Sequence, residues 1–397
     1  MKYPAWLPIL LGFLTAIGPI STDMYLPAFP AIEASLGLKL GSAQVTLFTW
    51  FIGLAVGQLT QGQLADRFGR RSPLIFGTLV YATANVGCAL APDLLTLSLL
   101  RFLAAIGGSA SMVIPRAIVR DLTEGHAAAR LMSRLILVMG AAPILAPSLG
   151  GAVLAFAGWH MIFWICAGYG YLCFVLVCLW LPDTLKPEAR MKLGFTRSIA
   201  RFGEILTEPG FITHAAMGAM GMFGMFAFIG GSPGVLIDGF HLSPTRYALV
   251  FSSCAVFFII CSQINPRVLP RFGTDRVLRA SARVFLASAA ILALIAWLRV
   301  PYFWAILPSI MVCMGCQGFT MPNSAVGALQ RHASHAGTAS ALMGMLQFSV
   351  AGTSGLLVGL FSDGTARAMA TLMLIGAIGV VVADIYRRRF VRAAKPK

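Results

Sequence analysis

The sequence predicts an all-α membrane protein whose helices fall into two halves, and three observations carry that expectation. Of its 397 residues, 58% are hydrophobic and only 11% charged, where a soluble domain carries about 25% charged residues. The apolar residues gather into runs long enough to cross a bilayer, which takes roughly 20 residues per helix. A short segment, Arg67-Phe68-Gly69, recurs as Arg271-Phe272-Gly273, 204 residues further on and about half a chain away.

The elements follow in order. The first run, 5–29, comes after Met1-Lys2-Tyr3 and could imitate a secretion signal. No small-x-small cleavage site follows it, only Ser21-Thr22-Asp23-Met24-Tyr25-Leu26-Pro27, so it is read as an uncleaved span. Further spans are expected at 41–65, 73–91, 95–119, 131–157 and 161–181. A polar stretch, 182–209, then interrupts the pattern with Lys186, Glu188, Arg190, Lys192, Arg197, Arg201 and Glu204. Six more apolar runs complete the chain, at 210–237, 247–269, 277–298, 302–326, 338–361 and 366–386. The expected organisation is a six-helix bundle over 1–181, a cytoplasmic linker over 182–209 and a second six-helix bundle over 210–397, twelve transmembrane helices in all.

The net charge of +16 is not a nucleic-acid footprint, because the basic residues lie in loops between apolar runs instead of clustering on a water-exposed face. Their distribution sets orientation. Taking Lys39, Arg101, Arg246, Arg299 and Arg367 as outer-side or outer-half residues leaves 25 of the 30 basic residues on the other side. By the positive-inside rule both termini are cytoplasmic, with Arg387-Arg388-Arg389 as an anchor that can meet lipid headgroups. All eight cysteines, the Cys313-x-x-Cys316 pair included, fall within apolar runs and read as core residues, neither disulfides nor zinc ligands. His332 and His335 lie in a loop without nearby acids. Neither a phosphate-binding G-x-x-x-x-G-K-[ST] loop nor an H-E-x-x-H pair occurs, so an enzyme, a cofactor and direct ATP coupling have no sequence support.

Two constellations carry the chemistry. Asp23 is the one carboxylate placed within the hydrocarbon and away from a cytoplasmic end, and an embedded acid is costly enough that function is its default reading. Arg101, about as far from the outer end of the fourth span as Asp23 is from that of the first, should reach a similar depth. A direct or water-bridged pair between them could exchange a proton for cargo, since a substrate that prefers the deprotonated site competes with the proton. The second constellation is Gly62-Gln63-Leu64-Ala65-Asp66-Arg67-Phe68-Gly69-Arg70-Arg71, between the second and third spans. Arg70 or Arg71 is expected to pair with Asp121 at the end of the fourth span, and Asp66 to meet the positive dipole end near Gly337 and Thr338, together forming a conformational latch. The second-half copy has Pro270, Thr274 and Asp275 in place of Asp66, Arg70 and Arg71, so its latch is expected to be weak or absent.

That loop matches the G-x-L-x-D-R-x-G-R-R signature of major facilitator transporters at every fixed position, and parallel repeats of six spans describe their fold. The fifth span, with Gly140, Pro143, Pro147, Gly150 and Gly151, resembles the antiporter signature of proton-linked drug exporters. Asp23-Met24-Tyr25-Leu26-Pro27-Ala28-Phe29-Pro30, Arg116-Ala117-Ile118-Val119-Arg120-Asp121 and Gly231-Ser232-Pro233 resemble segments of the bicyclomycin-resistance (Bcr/CflA) family. The resemblance implies a monomeric multidrug exporter of the bacterial inner membrane, expelling small amphipathic antibiotics such as bicyclomycin, amphenicols or sulfonamides against inward proton flow. Its pocket should be mostly apolar with a few polar groups, for which Tyr25, Trp50, Met222, Phe223, Phe226, Gln317, Met343 and Gln347 are the candidates. The alternative is a proton-coupled transporter of one metabolite, such as a nucleoside, sugar or amino acid, which would need several buried hydrogen-bonding side chains.

Overall fold

A computed structural model describes residues 4, 6–123, 125–185, 190, 202–330 and 336–393, helical throughout apart from short turns and connections. Ten helices among them are long and apolar enough to cross a membrane. The chain is a multi-pass membrane protein, and its contacts divide it into two compact units: 1–37 with 49–193, and 38–48 with 194–397.

The first unit opens with α1 (Leu7–Asp23), a 3-10 turn (Leu26–Ala28) and the short α2 (Phe29–Ser35). The break has a local cause. Pro27 and Pro30 lack the amide proton an uninterrupted helix needs, so the backbone tightens at Leu26 and restarts at Phe29. The apolar segment nevertheless continues over Leu7–Ser35. Asp23 therefore lies twelve residues from its far end, deeper than the six expected from the sequence.

Helix α3 (Gln44–Phe68) begins in the second unit and continues through the first. It falls short of the apolarity of the ten because it carries Gln44, Gln58, Gln61 and Gln63. Gly69, at φ 88°, ends it, and α4 (Arg71–Ala89) starts at once. Asp93 caps α5 (Leu94–Leu122), its two carboxylate oxygens accepting from the amide and hydroxyl of Thr96 at 2.8 and 3.0 Å. Then come α6 (Gly125–Phe156) and α7 (His160–Trp180).

The second unit contains α8 (Pro209–Pro233), whose last turn widens into a π-turn at Gly234–Gly239. It is followed by α9 (Pro244–Phe272), ended by Gly273, and by α10 (Thr274–Trp297). The last three helices are α11 (Phe303–Leu329), α12 (Ala336–Leu360) and α13 (Arg367–Ala393). Ahead of α8, a turn and a half of helix over 202–206 seats Ile205 in an apolar cluster with Phe211, Ala215, Leu342 and Met343. The end of the expected linker is thus packed against the second unit. In the 38–48 segment, Gln44 Nε2 donates to the carbonyl of Gly230 at 3.1 Å.

Candidate functional site

Arg101 is fully buried in the first unit, with 0% of its surface exposed. Its guanidinium carbon stands 4.2 Å from the ring centre of Tyr25 and 4.3 Å from that of Trp50, with Phe163 at 5.8 Å. Three aromatic faces thus supply the diffuse negative charge that a cation in a low-dielectric setting needs. Its Nη2 donates to the carbonyl of Ser21 at 3.0 Å, while Nε and Nη1 have no partner among the described residues.

The end of α1 is held from two sides. Ser21 Oγ and the Tyr81 hydroxyl share a hydrogen bond of 2.5 Å, and Trp50 Nε1 donates to Thr22 Oγ1 at 3.1 Å. Asp23 comes next, 6% exposed, with neither an ion pair nor a hydrogen bond among the described residues. Arg101 therefore reaches α1 through the Ser21 carbonyl, and no direct ion pair with Asp23 occurs among the described residues.

Gly150 of α6 touches the same break. A Cβ added there would sit 1.8 Å from the carbonyl oxygen of Met24, the residue after Asp23, so only glycine permits this approach. Pro147 and Gly151 are also buried. Gly140 and Pro143 lie on the same helix, with side chains outside the described set.

The loop after α3 forms a second centre. Arg70 donates from Nε to Asp121 Oδ2 at 2.7 Å, from Nη2 to Asp121 Oδ1 at 3.3 Å and from Nη1 to Asp66 Oδ1 at 2.5 Å. Its backbone amide donates to Asp183 Oδ1 at 2.8 Å. Burial works against the charged guanidinium, but the bonds to Asp121 and Asp66 outweigh it and hold Arg70 above the ordinary arginine value. Arg71 Nη2 donates to the carbonyl of Cys178 at 2.6 Å. Arg67 is exposed over the ring of Phe68, and Gly62 is half-buried. The ends of α3, α4, α5 and α7 are thereby joined through one arginine pair.

Asp183 escaped sequence reasoning, which assigned it to the linker. It closes over Gly69, where a Cβ would fall 1.8 Å from its Oδ2, and it accepts from Arg190 at 2.9 Å. The available signal was a lone acid in Leu181-Pro182-Asp183-Thr184, directly after an apolar span.

The corresponding loop of the second unit takes part in a charge cluster of its own. Arg387, read from sequence as part of a lipid anchor, is buried and bonds both Asp275 and Asp384, the latter at 2.8 Å; Arg388 Nε meets Asp384 Oδ2 at 3.0 Å. The position that holds an arginine in the first unit holds Asp275 here, so the cluster survives with its charges exchanged.

The expected pocket residues divide between the units. Tyr25 and Trp50 serve as walls around Arg101. In the second unit Met222, Phe223 and Phe226 are buried on α8, with the Phe223 carbonyl accepting from Ser354 Oγ at 2.6 Å. Gln317 is 0% exposed, both of its amide atoms lack a partner among the described residues, and Oε1 faces Gly221. Gln347 and Met343 approach Gly218, one turn earlier on α8. No group of three or more metal-ligating side chains occurs among the described residues, and His332 and His335 lie outside them.

Comparison with known proteins bears on what this arrangement belongs to. Residues 11–356 match the sequence profile of the Major Facilitator Superfamily. The uncharacterized MFS-type transporter YdgK of Bacillus subtilis is 32% identical, over 94% of this chain and 92% of its own length. A bicyclomycin resistance protein homolog of Haemophilus influenzae is 29% identical over 94% and 93%, and a chloramphenicol resistance protein of Pseudomonas aeruginosa 29% identical over 88% and 83%. Among solved structures, an inward-facing bacterial homolog of the human lysosomal transporter Spinster aligns with a TM-score of 0.75 at 15% identity, covering 99% of this chain and 98% of that one.

Proposed function

We propose, for a chain that belongs to the major facilitator superfamily, that it exports small amphipathic drugs across the bacterial inner membrane in exchange for protons. The family makes it a membrane transporter, and the relatives named for bicyclomycin, chloramphenicol and multidrug resistance support drugs as the cargo. The observation that carries the coupling is Asp23: a buried carboxylate without a partner among the described residues, at a helix break midway along an apolar segment.

In the proposed cycle Asp23 carries the proton. Its protonated form suits an apolar setting, and the charged form needs a cation or a polar surrounding. A drug that binds the deprotonated state displaces the proton, and a proton taken up from outside displaces the drug, which is the thermodynamic condition for antiport. Arg101 holds the end of α1 in place through Ser21 and supplies positive charge behind it. Both termini are cytoplasmic, so the Arg70 cluster lies on the inner side and makes the inner ends of four helices move as one body. Proton release from purified protein on drug addition tests the reading. Asp23→Asn, which fixes the neutral form, should fold, bind drug more weakly and release no protons; unchanged proton release would remove Asp23 from the mechanism.

A further inference from the structure

Helix α10 carries Arg276, Arg279 and Arg283, and the spacing of three and then four residues puts them on one face of the helix. That face adjoins the buried one, formed by Val277, Leu278, Ser281, Ala282 and Phe285. Arg276 and Arg283 are exposed; Arg279 is half-buried, and its Nε is enclosed without a hydrogen-bond partner among the described residues. None of the three forms an ion pair with a described residue. The two acids nearby, Asp275 and Asp384, are already engaged by Arg387 and Arg388.

Depth makes these charges unusual. Arg283 is nine residues beyond Thr274, about 13 Å along the axis at the usual rise, inside a helix long and apolar enough to span the membrane. An arginine on the outer surface at that level extends toward the interface and needs an anion there. Among the described residues no carboxylate forms an ion pair with Arg283, and Asp275, whose charge Arg279 also feels, is bonded to Arg387; the adjoining bilayer surface presents phosphodiesters, whose paired oxygens match the guanidinium fork.

We infer that Arg276, Arg279 and Arg283 form a binding site for the phosphodiester of an anionic phospholipid in the cytoplasmic leaflet. Three cations on one stripe, with Asp275 shared between Arg279 and Arg387, favour a headgroup of net negative charge over a zwitterionic one, because the latter brings its own ammonium to the same place. Half-buried Arg279 stands between the two exposed arginines on the stripe, so the three guanidinium groups can converge on one phosphate. The inference takes from the export reading only the cytoplasmic placement of this end of the chain. Lipid retention is measured without transport, so its failure would leave that reading standing.

The test is native mass spectrometry of the full-length protein exchanged into phosphatidylglycerol or phosphatidylcholine. The wild type should retain phosphatidylglycerol preferentially, and each of Arg276→Gln, Arg279→Gln and Arg283→Gln should weaken retention about fivefold. Arg246→Gln, which removes an exposed charge near the start of α9, should leave it unchanged. A triple variant combining the three changes should lose the preference for phosphatidylglycerol; if it does not fold, the single Arg283→Gln decides. Equal retention of the two lipids, an equal loss in Arg246→Gln, or displacement by inorganic phosphate at matched concentration would each overturn the inference.

Discussion

Asp183 and Arg387 stand 204 residues apart, the same interval that separates Arg67 from Arg271, and they carry opposite charges. Each follows or ends the sixth long helix of its unit, and each reaches back to the loop between the second and third. In the first unit the acid accepts from the loop, through the Arg70 amide; in the second the base binds Asp275. The repeat therefore preserves a contact while exchanging its sign. Arg387→Ala would leave buried Asp384 with Arg388 alone and Asp275 without its ion pair, and the loss should be about 1.5–3 kcal/mol. Thermal unfolding in detergent checks it, and Arg387→Lys, which cannot span both carboxylates, should recover only part.

Gly69 answers for both backbone and space. At φ 88°, and with Asp183 pressed against it, alanine there should cost about 1–3 kcal/mol from conformation alone. Combining Gly69→Ala with Asp183→Ala removes the collision but not the strained dihedral, so a double-mutant cycle of thermal midpoints should show partial, not full, compensation.

Gly150 makes a similar demand at the break in α1. Gly150→Ala should drive α6 away from the Met24 carbonyl, at about 1–3 kcal/mol for the misfit. Proton-coupled drug export in vesicles should fall by more than the amount of inserted protein does, because the displaced residue is the neighbour of Asp23.

Asp93 allows a test by pH. Hydrogen bonds from the Thr96 amide and hydroxyl hold its carboxyl below the usual aspartate value. A group lowered in the folded state stabilises above its unfolded value, about 3.9, and that contribution is lost as pH falls through the folded one. Wild type should melt above Asp93→Ala at neutral pH, and the two midpoints should converge as the solution is acidified below about pH 4.

Long apolar runs made the helices legible, with ends displaced by a few residues where proline or glycine altered the backbone. Composition alone could not divide 5–35 into two helices and a turn, because the segment stays apolar through Pro27 and Pro30. In the site, Asp23, Arg101 and the Arg70 loop stood out because charge is rare at those places. What remained hidden depends on direction, not on residue type. Depth alone matched Arg101 with Asp23; it could not show that the guanidinium bonds the Ser21 carbonyl or that Tyr25 and Trp50 form walls around it. Asp183 and Arg387 were assigned to a linker and a tail because nothing in their immediate neighbours shows which loop they return to.

The solitary carboxyl at the end of α1 also bears on how the chain enters the membrane. Asp23 leaves the ribosome 78 residues before Arg101, so its passage into lipid, about 2.5–3.5 kcal/mol for an aspartate at the centre of a helix, has to be offset by its own segment. Leu10, Leu11, Leu14 and Ile17 are thus needed twice, first to carry an acid through the insertion machinery and later to fill the buried core of the first unit. Substituting them with smaller apolar residues would act at biosynthesis, lowering the yield of inserted protein before any effect on transport could be measured.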